Sequence, residues 1–137
     1  MPMKSMSAAV GFAADARGNG VAYVRLGDSA SRVLRIPFEV KRYPALLDRE
    51  VGYAALTAVG TVLRRRGVRS LEMRIDDQRL AGDLLEHRDV PAPLTLAYVR
   101  LRCALNQLGD YGVAPAGADD ADLTARARAD VAMHAAA

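Results

Sequence analysis

Two adjacent aspartates, Asp76 and Asp77, follow the alternating apolar stretch SLEMRI at residues 70–75. Such alternation predicts a half-buried β-strand, whose end exposes the next side chains at the rim of a sheet. Carboxylates held at a rim by a rigid scaffold are what a divalent metal ion requires. The alternative is that one aspartate caps the helical segment that begins at once. The pair therefore predicts a metal ligand or a helix cap.

Two further aspartates stand beside turn or helix signals. Asp15 precedes the turn sequence RGNG, and Asp122 follows Asp119 and Asp120 at the start of a closing helical segment. Either aspartate could supply another rim carboxylate. The alternatives are a turn residue for Asp15 and compensation of the helix dipole for Asp122.

The elements that must position these residues follow the order β-β-β-α-β-α-α-β-α. Alternation broken by turn signals predicts three antiparallel strands in the first forty residues. Helical spacing over 41–67 ends at Gly67, and Pro91 and Pro93 open a later helix. Strands four and five each follow a helix and should lie parallel to strand one. We predict an α/β fold with a five-stranded mixed sheet, helices on both faces, and strand one centrally beside strand four.

Length, composition and charge limit the function classes. A chain of 137 residues predicts a single domain. All but two of the 19 basic residues are arginine and the net charge is +3, which permits phosphate contacts without requiring them. Cys103 is the only cysteine, which excludes an internal disulfide and fits a cytoplasmic location. No apolar run approaches the ~18 residues of a membrane helix.

The central block, YAALTAVGTVLRRRGVRSLEMRIDDQRL, resembles the ribonuclease HI family. In that family a Tyr-x-Ala-Leu helix runs to a glycine, and an apolar strand then leads into Asp-Ser-Gln-Leu. Tyr53, Gly67, Asp76 and Gln78 occupy those places here, and Asp77 stands where the family often has serine. The resemblance identifies Asp76 as the carboxylate at the end of strand four.

The two ends of the chain carry the rest of the resemblance, which covers about residues 8–135 and implies a domain core of that extent. The opening AADARGNG is similar to a shortened Asp-Gly turn that continues to Gly-Asn, with Asp15 as the first-strand carboxylate. The closing VAPAGADDADLTARA resembles a strand followed by Asn-x-x-Ala-Asp-x-Leu-Ala, which places Asp122 as the last carboxylate. Asp130, in a similar Ala-Asp context, is the rival for that role.

The resemblance implies hydrolysis of the RNA strand of RNA/DNA hybrids by two metal ions, Mg²⁺ or Mn²⁺. Two cations about 4 Å apart activate a water and stabilise the leaving oxygen of an in-line displacement. On this basis Asp15, Asp76 and Asp122 are predicted as catalytic residues and metal ligands. Glu50 and Asp130 are the further candidate ligands.

One carboxylate of the family set is missing. The family's helix glutamate directly precedes the tyrosine, and that position is Gly52 here. Glu50 lies two residues earlier, about 200° around an ideal helix, so it does not simply replace the lost ligand. We therefore expect hydrolysis to be weak or lost, metal binding to be weak, and position 52 to face Asp15 and Asp76. Whether the chain is an enzyme stays open.

The predicted partner is nucleic acid, either an RNA/DNA hybrid or a structured nucleic acid. Arg17 beside Asp15, with Lys41 and Arg42 before the first helix, is placed for backbone contacts, and Asn19 for a 2′-hydroxyl. The alternative is a non-catalytic protein-interaction module on the same scaffold, because a fold does not determine a function. The sequence leaves open whether the chain binds a protein partner or forms a homodimer. No membrane association is expected.

Overall fold

The computed structural model describes residues 5–27, 32–40, 48–76, 78–86, 90 and 92–136. Short 3₁₀ turns, Ala92–Leu94 and Ala118–Asp120, precede the last two helices. The order of elements predicted from the sequence is confirmed. The strands and helices are β1 (Ser5–Ala14), β2 (Asn19–Leu26), β3 (Val33–Glu39), α1 (Asp48–Arg65), β4 (Ser70–Ile75), α2 (Gln78–Glu86), α3 (Thr95–Asn106), β5 (Asp110–Pro115) and α4 (Ala121–Ala136).

The five strands form one mixed sheet in the order β3-β2-β1-β4-β5. β2 is antiparallel to both β1 and β3, whereas β4 is parallel to both β1 and β5. A parallel pair needs a crossover, and here α1 leads into β4 while α2 and α3 lead into β5. The predicted fold class and the central place of β1 beside β4 are both confirmed.

Helices α1 and α4 cover opposite faces of the sheet. A Cβ atom at Gly11 of β1 would lie 2.3 Å from the backbone nitrogen of Thr124, so the α4 backbone rests directly on the strand there. The next residue, Phe12, points the other way, and its ring lies 3.4 Å from where a Cβ at Gly52 of α1 would be. Successive side chains of a strand alternate between faces, so the prediction of helices on both faces is confirmed.

The main core lies on the α1 face. In α1, fully buried side chains recur at Tyr53, Leu56, Val59 and Leu63, which places them along one helix face. They belong to one cluster with the buried residues of β4 and α3, and complete burial of such a side chain contributes about 1.5–3 kcal/mol. The β4 and α3 members are Leu71, Met73, Ile75, Leu101 and Leu105. Within the described ranges, no helix is both long and apolar enough to cross a membrane.

The turn between β1 and β2 is held by Asp15 and Gly18. An Asp15 carboxylate oxygen accepts hydrogen bonds from the backbone N–H groups of Arg17 at 2.8 Å and Asn19 at 3.0 Å. Gly18 has φ +90°, and a Cβ there would lie 2.2 Å from the Val40 carbonyl oxygen. The Val40 N–H donates to the Gly18 carbonyl at 2.7 Å, which ties the residue after β3 to the turn.

We predict that Gly18→Ala lowers the free energy of unfolding by about 2 kcal/mol or more, because alanine meets both a positive φ and the Val40 backbone. Gly27→Ala is the matched control, since Gly27 has φ +64° but nothing within 4 Å of its Cβ position. That control should lose only about 1 kcal/mol. Urea unfolding measures both variants, and equal losses would show that the Val40 contact is irrelevant.

Candidate functional site

On β1, the strand beside β4, the described position level with Asp76 carries no carboxylate. Val10 of β1 pairs with Ile75, so Gly11 lies level with Asp76, which is exposed. The close contact of Gly11 with the backbone of Leu123 and Thr124 leaves no room there for any side chain. On β1, the position level with Asp76 therefore cannot hold a side chain that would share a metal ion with Asp76.

Position 52 faces an apolar surface. A Cβ atom there would lie 3.0 Å from Leu80 Cδ2 and 3.4 Å from Phe12 Cζ, and both Gly52 and Leu80 are buried. The expectation that this position faces Asp15 and Asp76 is therefore wrong. The three nearest atoms to it come from leucine and phenylalanine side chains, which cannot bind a metal ion.

Asp15 lies beyond the rim, in the β1–β2 turn. It follows Gly11 by four residues, a distance of about 13 Å along an extended strand. One Mg²⁺ holds its ligands at about 2.0–2.1 Å, so Asp15 and Asp76 are too far apart to share an ion. This register argues against the prediction that both belong to one metal site. The hydrogen bonds of Asp15 show that it acts as a turn residue, the alternative that the sequence offered.

Asp122 and its neighbour Asp120 are paired with arginines of the sheet. Asp122 receives two hydrogen bonds from Arg25, at 2.6 and 3.2 Å. Asp120 accepts from Arg74 Nε at 3.1 Å and from the Gly117 N–H at 3.0 Å. The hydrogen bonds from Arg25 lower the pKa of Asp122. Burial raises the pKa of Asp120, but its hydrogen bonds outweigh burial and the net shift is downward.

Asp130, the rival candidate, is also fully engaged. It accepts hydrogen bonds from Arg35 at 2.7 and 3.0 Å and from the Tyr23 hydroxyl at 2.6 Å, and His134 Nδ1 lies 2.9 Å from its other oxygen. Its side chain is only 11% exposed. These contacts, the Arg35 hydrogen bonds first and that of Tyr23 second, hold its pKa well below the usual range. Asp130 therefore anchors α4 to β2 and β3.

The predicted metal ligands are thus held in separate surroundings. Glu50 is partly exposed on α1, away from the α4 ion pairs of Asp122 and Asp130. Across the part of the chain that the structure describes, no group of three or more His, Cys, Asp or Glu residues could hold a metal ion. The described residues therefore do not fit a two-metal centre.

Several of the predicted binding residues meet in an open cleft of about 660 Å³, which we call the α4 cleft. It lies between the β1–β2 turn, β3 and the last turns of α4. Sequence reasoning missed Arg35, Glu39 and His134, although alternation along β3 puts Arg35 and Glu39 on one face. Lys41 and Arg42, predicted for the same surface, lie outside the described residues. The lining residues are Asp15, Ala16, Arg17, Asn19, Gly20, Val21, Arg35, Pro37, Phe38, Glu39, Asp130, Val131 and His134.

Comparison with known proteins identifies the architecture. No protein-family model matches the sequence, and no curated protein matches it. Among solved structures, RNase H1 from the halophilic archaeon Halobacterium salinarum NRC-1 is 18% identical with a TM-score of 0.68, and the match covers 92% of this chain and 98% of that one. The N-terminal RNase H domain of rv2228c from Mycobacterium tuberculosis is 14% identical with a TM-score of 0.71, over 98% and 99%. This chain has the ribonuclease H fold.

A further ribonuclease H-fold structure, that of LC11-RNase H1 in complex with an RNA/DNA hybrid, is 12% identical with a TM-score of 0.65. That match covers 90% of this chain and 96% of the other. At 12–18% identity, these comparisons show a common fold. The roles of individual residues must come from the geometry of this chain.

A buried ion pair holds α1 against α2 in this version of the ribonuclease H fold. Asp83 is 1% exposed and accepts hydrogen bonds from Arg49 at 2.8 and 3.1 Å and from the Tyr53 hydroxyl at 2.6 Å. Burial, and then the Asp83 hydrogen bond, raise the pKa of Tyr53 to about 12. The sequence marked Tyr53 through its motif but gave no signal that it pairs with Asp83. The ion pair between Arg49 and Asp83 attaches the N-terminal end of α1, which contains Gly52, to α2.

We predict that Gly52→Glu lowers the free energy of unfolding by about 2–4 kcal/mol. A carboxylate beside Leu80 and Phe12 loses hydration without gaining a partner, which outweighs the 0.5–1 kcal/mol that replacing a helical glycine contributes. Gly52→Ala is the control and should be near neutral. Thermal unfolding with and without Mg²⁺ measures both variants. Stabilisation by Mg²⁺ of the glutamate variant alone would show that position 52 does face a metal site.

We predict that Asp130 contributes to stability at neutral pH and not in acid. Its pKa is lower in the folded state, so the contribution is complete above the unfolded pKa near 4 and disappears as pH falls towards the folded value. Asp130→Asn should lose roughly 1–2 kcal/mol at pH 7, and the difference from the parent should shrink at pH 3. Urea unfolding at both pH values measures it. Asp110→Asn, an exposed site, is the control, and a pH-independent Asp130 effect would contradict the ion pair.

Proposed function

We propose that this domain binds an RNA/DNA hybrid or a structured nucleic acid, and that metal-dependent phosphodiester hydrolysis is weak or lost. The observation that carries the proposed loss of hydrolysis is the absence of side-chain space at the rim of the sheet, on β1 beside Asp76, in a ribonuclease H fold. Gly11, which is level with Asp76, lies beneath α4, and Gly52 faces Phe12 and Leu80. Two-metal hydrolysis needs clustered carboxylates at that point, because they hold the cations that activate water and stabilise the leaving oxygen.

The other predicted carboxylates of α4, Asp122 and Asp130, are already paired with arginines. Asp122 and Asp130 would have to leave bidentate contacts with Arg25 and Arg35 before they could bind a metal ion. This pairing competes with metal binding, because a carboxylate that accepts two hydrogen bonds from one guanidinium has both oxygens engaged. A single exposed carboxylate such as Asp76 can hold at most a largely hydrated Mg²⁺ or Mn²⁺ ion.

Support for nucleic-acid binding comes from the β1–β2 turn. Asp15 and Gly18 fix its backbone, and Arg17 and Asn19 are exposed on it. An arginine on a rigid turn can contact phosphate, and an asparagine beside it can contact a 2′-hydroxyl. LC11-RNase H1 holds an RNA/DNA hybrid on the same fold, and the net charge of +3 here is compatible with such a partner.

A non-catalytic protein-interaction module is the second candidate. Leu96 and Val99 of α3 are 60% and 48% exposed, and they lie three residues apart on one face of the helix with exposed Cys103 four residues further on. Exposed apolar side chains at this spacing are typical of helices that contact another protein. Failure of nucleic-acid binding in the assay below would favour this second candidate.

We predict that the chain binds a fluorescently labelled RNA/DNA hybrid, with affinity that falls as salt rises. Arg17→Ala should weaken binding and reduce the slope of log affinity against log salt by about 1, because one phosphate contact is lost. Arg128→Ala, at an exposed site on α4, is the matched control and should leave the slope unchanged. Fluorescence anisotropy over a salt series measures all three proteins.

The same samples, incubated with Mg²⁺ or Mn²⁺, test hydrolysis on a denaturing gel. Cleavage should be weak or absent in both the parent and Asp76→Asn. Lack of hybrid binding at low salt would overturn the binding proposal. Rapid metal-dependent cleavage that Asp76→Asn abolishes would overturn the proposal that hydrolysis is weak or lost.

A further inference from the structure

Four exposed arginines lie within six residues, in the last turn of α1 and in the loop that leads to β4. Among the described residues, none of their guanidinium groups has a hydrogen-bond or ion-pair partner. A concentration of cations on one short segment creates a local positive potential that attracts anions. We call residues 64–69 the arginine turn, and its arginines are Arg64, Arg65, Arg66 and Arg69.

The backbone of the arginine turn is fixed. The Val68 N–H donates to the Leu63 carbonyl at 3.1 Å and the Gly67 N–H to the Arg64 carbonyl at 3.0 Å, which is the pattern of a Schellman helix end. Gly67 has φ +88°, a conformation that glycine adopts without strain. The Leu63 and Val68 side chains are buried in the core and anchor both ends of the segment. The arginines are therefore presented from a preorganised loop, which lowers the entropic cost of binding a ligand.

The helix dipole of α1 does not account for four cations. A helix C-terminus carries about half a negative charge, and its effect is confined to the last turn. Arg64 and Arg65 lie in that turn, whereas Arg69 lies beyond Gly67, just before β4. One exposed carboxylate, Asp110, stands beside Arg69, because the Asp110 N–H donates to the Arg69 carbonyl at 3.3 Å. Four guanidinium groups exceed both the dipole and this carboxylate.

The surroundings of the arginine turn are polar and suit a phosphate backbone better than a protein surface. Asn106 and Gln107, at the end of α3, are exposed at the same end of the sheet, since β5 follows α3 and begins level with the start of β4. Arginine and amide side chains are common phosphate contacts, whereas protein interfaces are built on buried aromatic or apolar anchors. The exposed large apolar residues of the described chain, Leu96, Val99 and Met133, lie on the first half of α3 and on the last turns of α4.

The arginine turn and the β1–β2 turn lie at opposite ends of the sheet. Ser5, the first residue of β1, is level with Ser70 at the start of β4, and β1 then runs to Ala14, just before the β1–β2 turn. The length of β1 separates the two ends by about 30 Å, at about 3.3 Å per residue. A ligand that is held at Arg17 and is shorter than this distance does not also reach the arginine turn.

We propose that the arginine turn is a phosphate-binding site for a second nucleic-acid segment, so that one domain holds two segments at opposite ends of its sheet. The site recognises the charge of the backbone and not the base sequence, because its cations contact phosphate groups. The inference rests on the proposed function for the segment at the β1–β2 turn.

Fluorescence titration with a labelled hairpin tests the number of sites. The hairpin pairs one RNA strand with one DNA strand over six base pairs, a stem of about 20 Å at 3.4 Å per pair, too short to span both turns. At low salt the parent should bind two hairpins per domain. One hairpin per domain would overturn the two-segment arrangement.

The triple variant Arg65→Ala/Arg66→Ala/Arg69→Ala tests where the second hairpin binds. It should bind one hairpin, because the loss of three cations weakens the second site at least about tenfold. Arg32→Ala/Arg100→Ala/Arg128→Ala is the matched control, which removes the same charge from exposed positions elsewhere and should bind two. Two hairpins on the triple variant would overturn the proposed site. Thermal unfolding confirms that both variants keep the fold.

A mixture of donor-labelled and acceptor-labelled hairpins tests whether both sites are occupied at once. Energy transfer should appear when the parent is added, and it should fall in a large excess of protein because each hairpin then meets its own domain. The control variant should behave like the parent, and the triple variant should give no transfer. Transfer that the triple variant retains would show that two copies of the chain bring the hairpins together, which would overturn the proposal.

Arg17→Ala distinguishes the failure of this inference from the failure of the proposed function. If one hairpin binds, Arg17→Ala weakens it and the triple variant has no effect, the arginine turn is overturned and the proposed function stands. If one hairpin binds, the triple variant removes it and Arg17→Ala has no effect, the arginine turn is confirmed as a phosphate site and the β1–β2 turn is overturned. If no hairpin binds at low salt, both proposals are overturned.

Discussion

The approach of α4 to β1 at Gly11 is the constraint on which most of this structure depends. Only a residue without a side chain lets the backbone of Leu123 and Thr124 come so near to the central strand. That approach brings the start of α4 within reach of Arg25 and Arg74, which lie on either side of Ala9 in the neighbouring strands. The ion pairs of Asp120 and Asp122 follow from this placement. The same contact occupies the space in which a rim carboxylate would stand.

The acidic residues therefore serve to attach a helix to a sheet. Asp120, just before α4, and Asp122, in its first turn, hold the start of the helix, and Asp130 holds a later turn, so the helix is fixed at two points along its length. Each pair has an arginine from the sheet, which explains part of the high arginine content. A planar guanidinium can satisfy both oxygens of a carboxylate, as a lysine cannot.

Alternation and helical spacing were sufficient to predict the order of elements, because burial on one face repeats along each of them. The motif draws attention to the glycine at position 52, but the surroundings of that glycine depend on Phe12 and Leu80, which are distant in sequence. The position of Asp15 depends on the register between β1 and β4. β1 continues beyond the end of β4, and no local sequence pattern predicts by how many residues. The pairing of Asp83 with Arg49 and Tyr53 likewise depends on how two helices meet.

Both outer strands of the sheet contain a proline, Pro37 in β3 and Pro115 in β5. Proline has no N–H to offer to another strand, and β3 also exposes the charged residues Arg35 and Glu39. Such edges resist the addition of a strand from a second molecule, a common route to fibrils and swapped oligomers. Self-association of this chain, if it occurs, would therefore use its helical faces and leave the sheet at five strands.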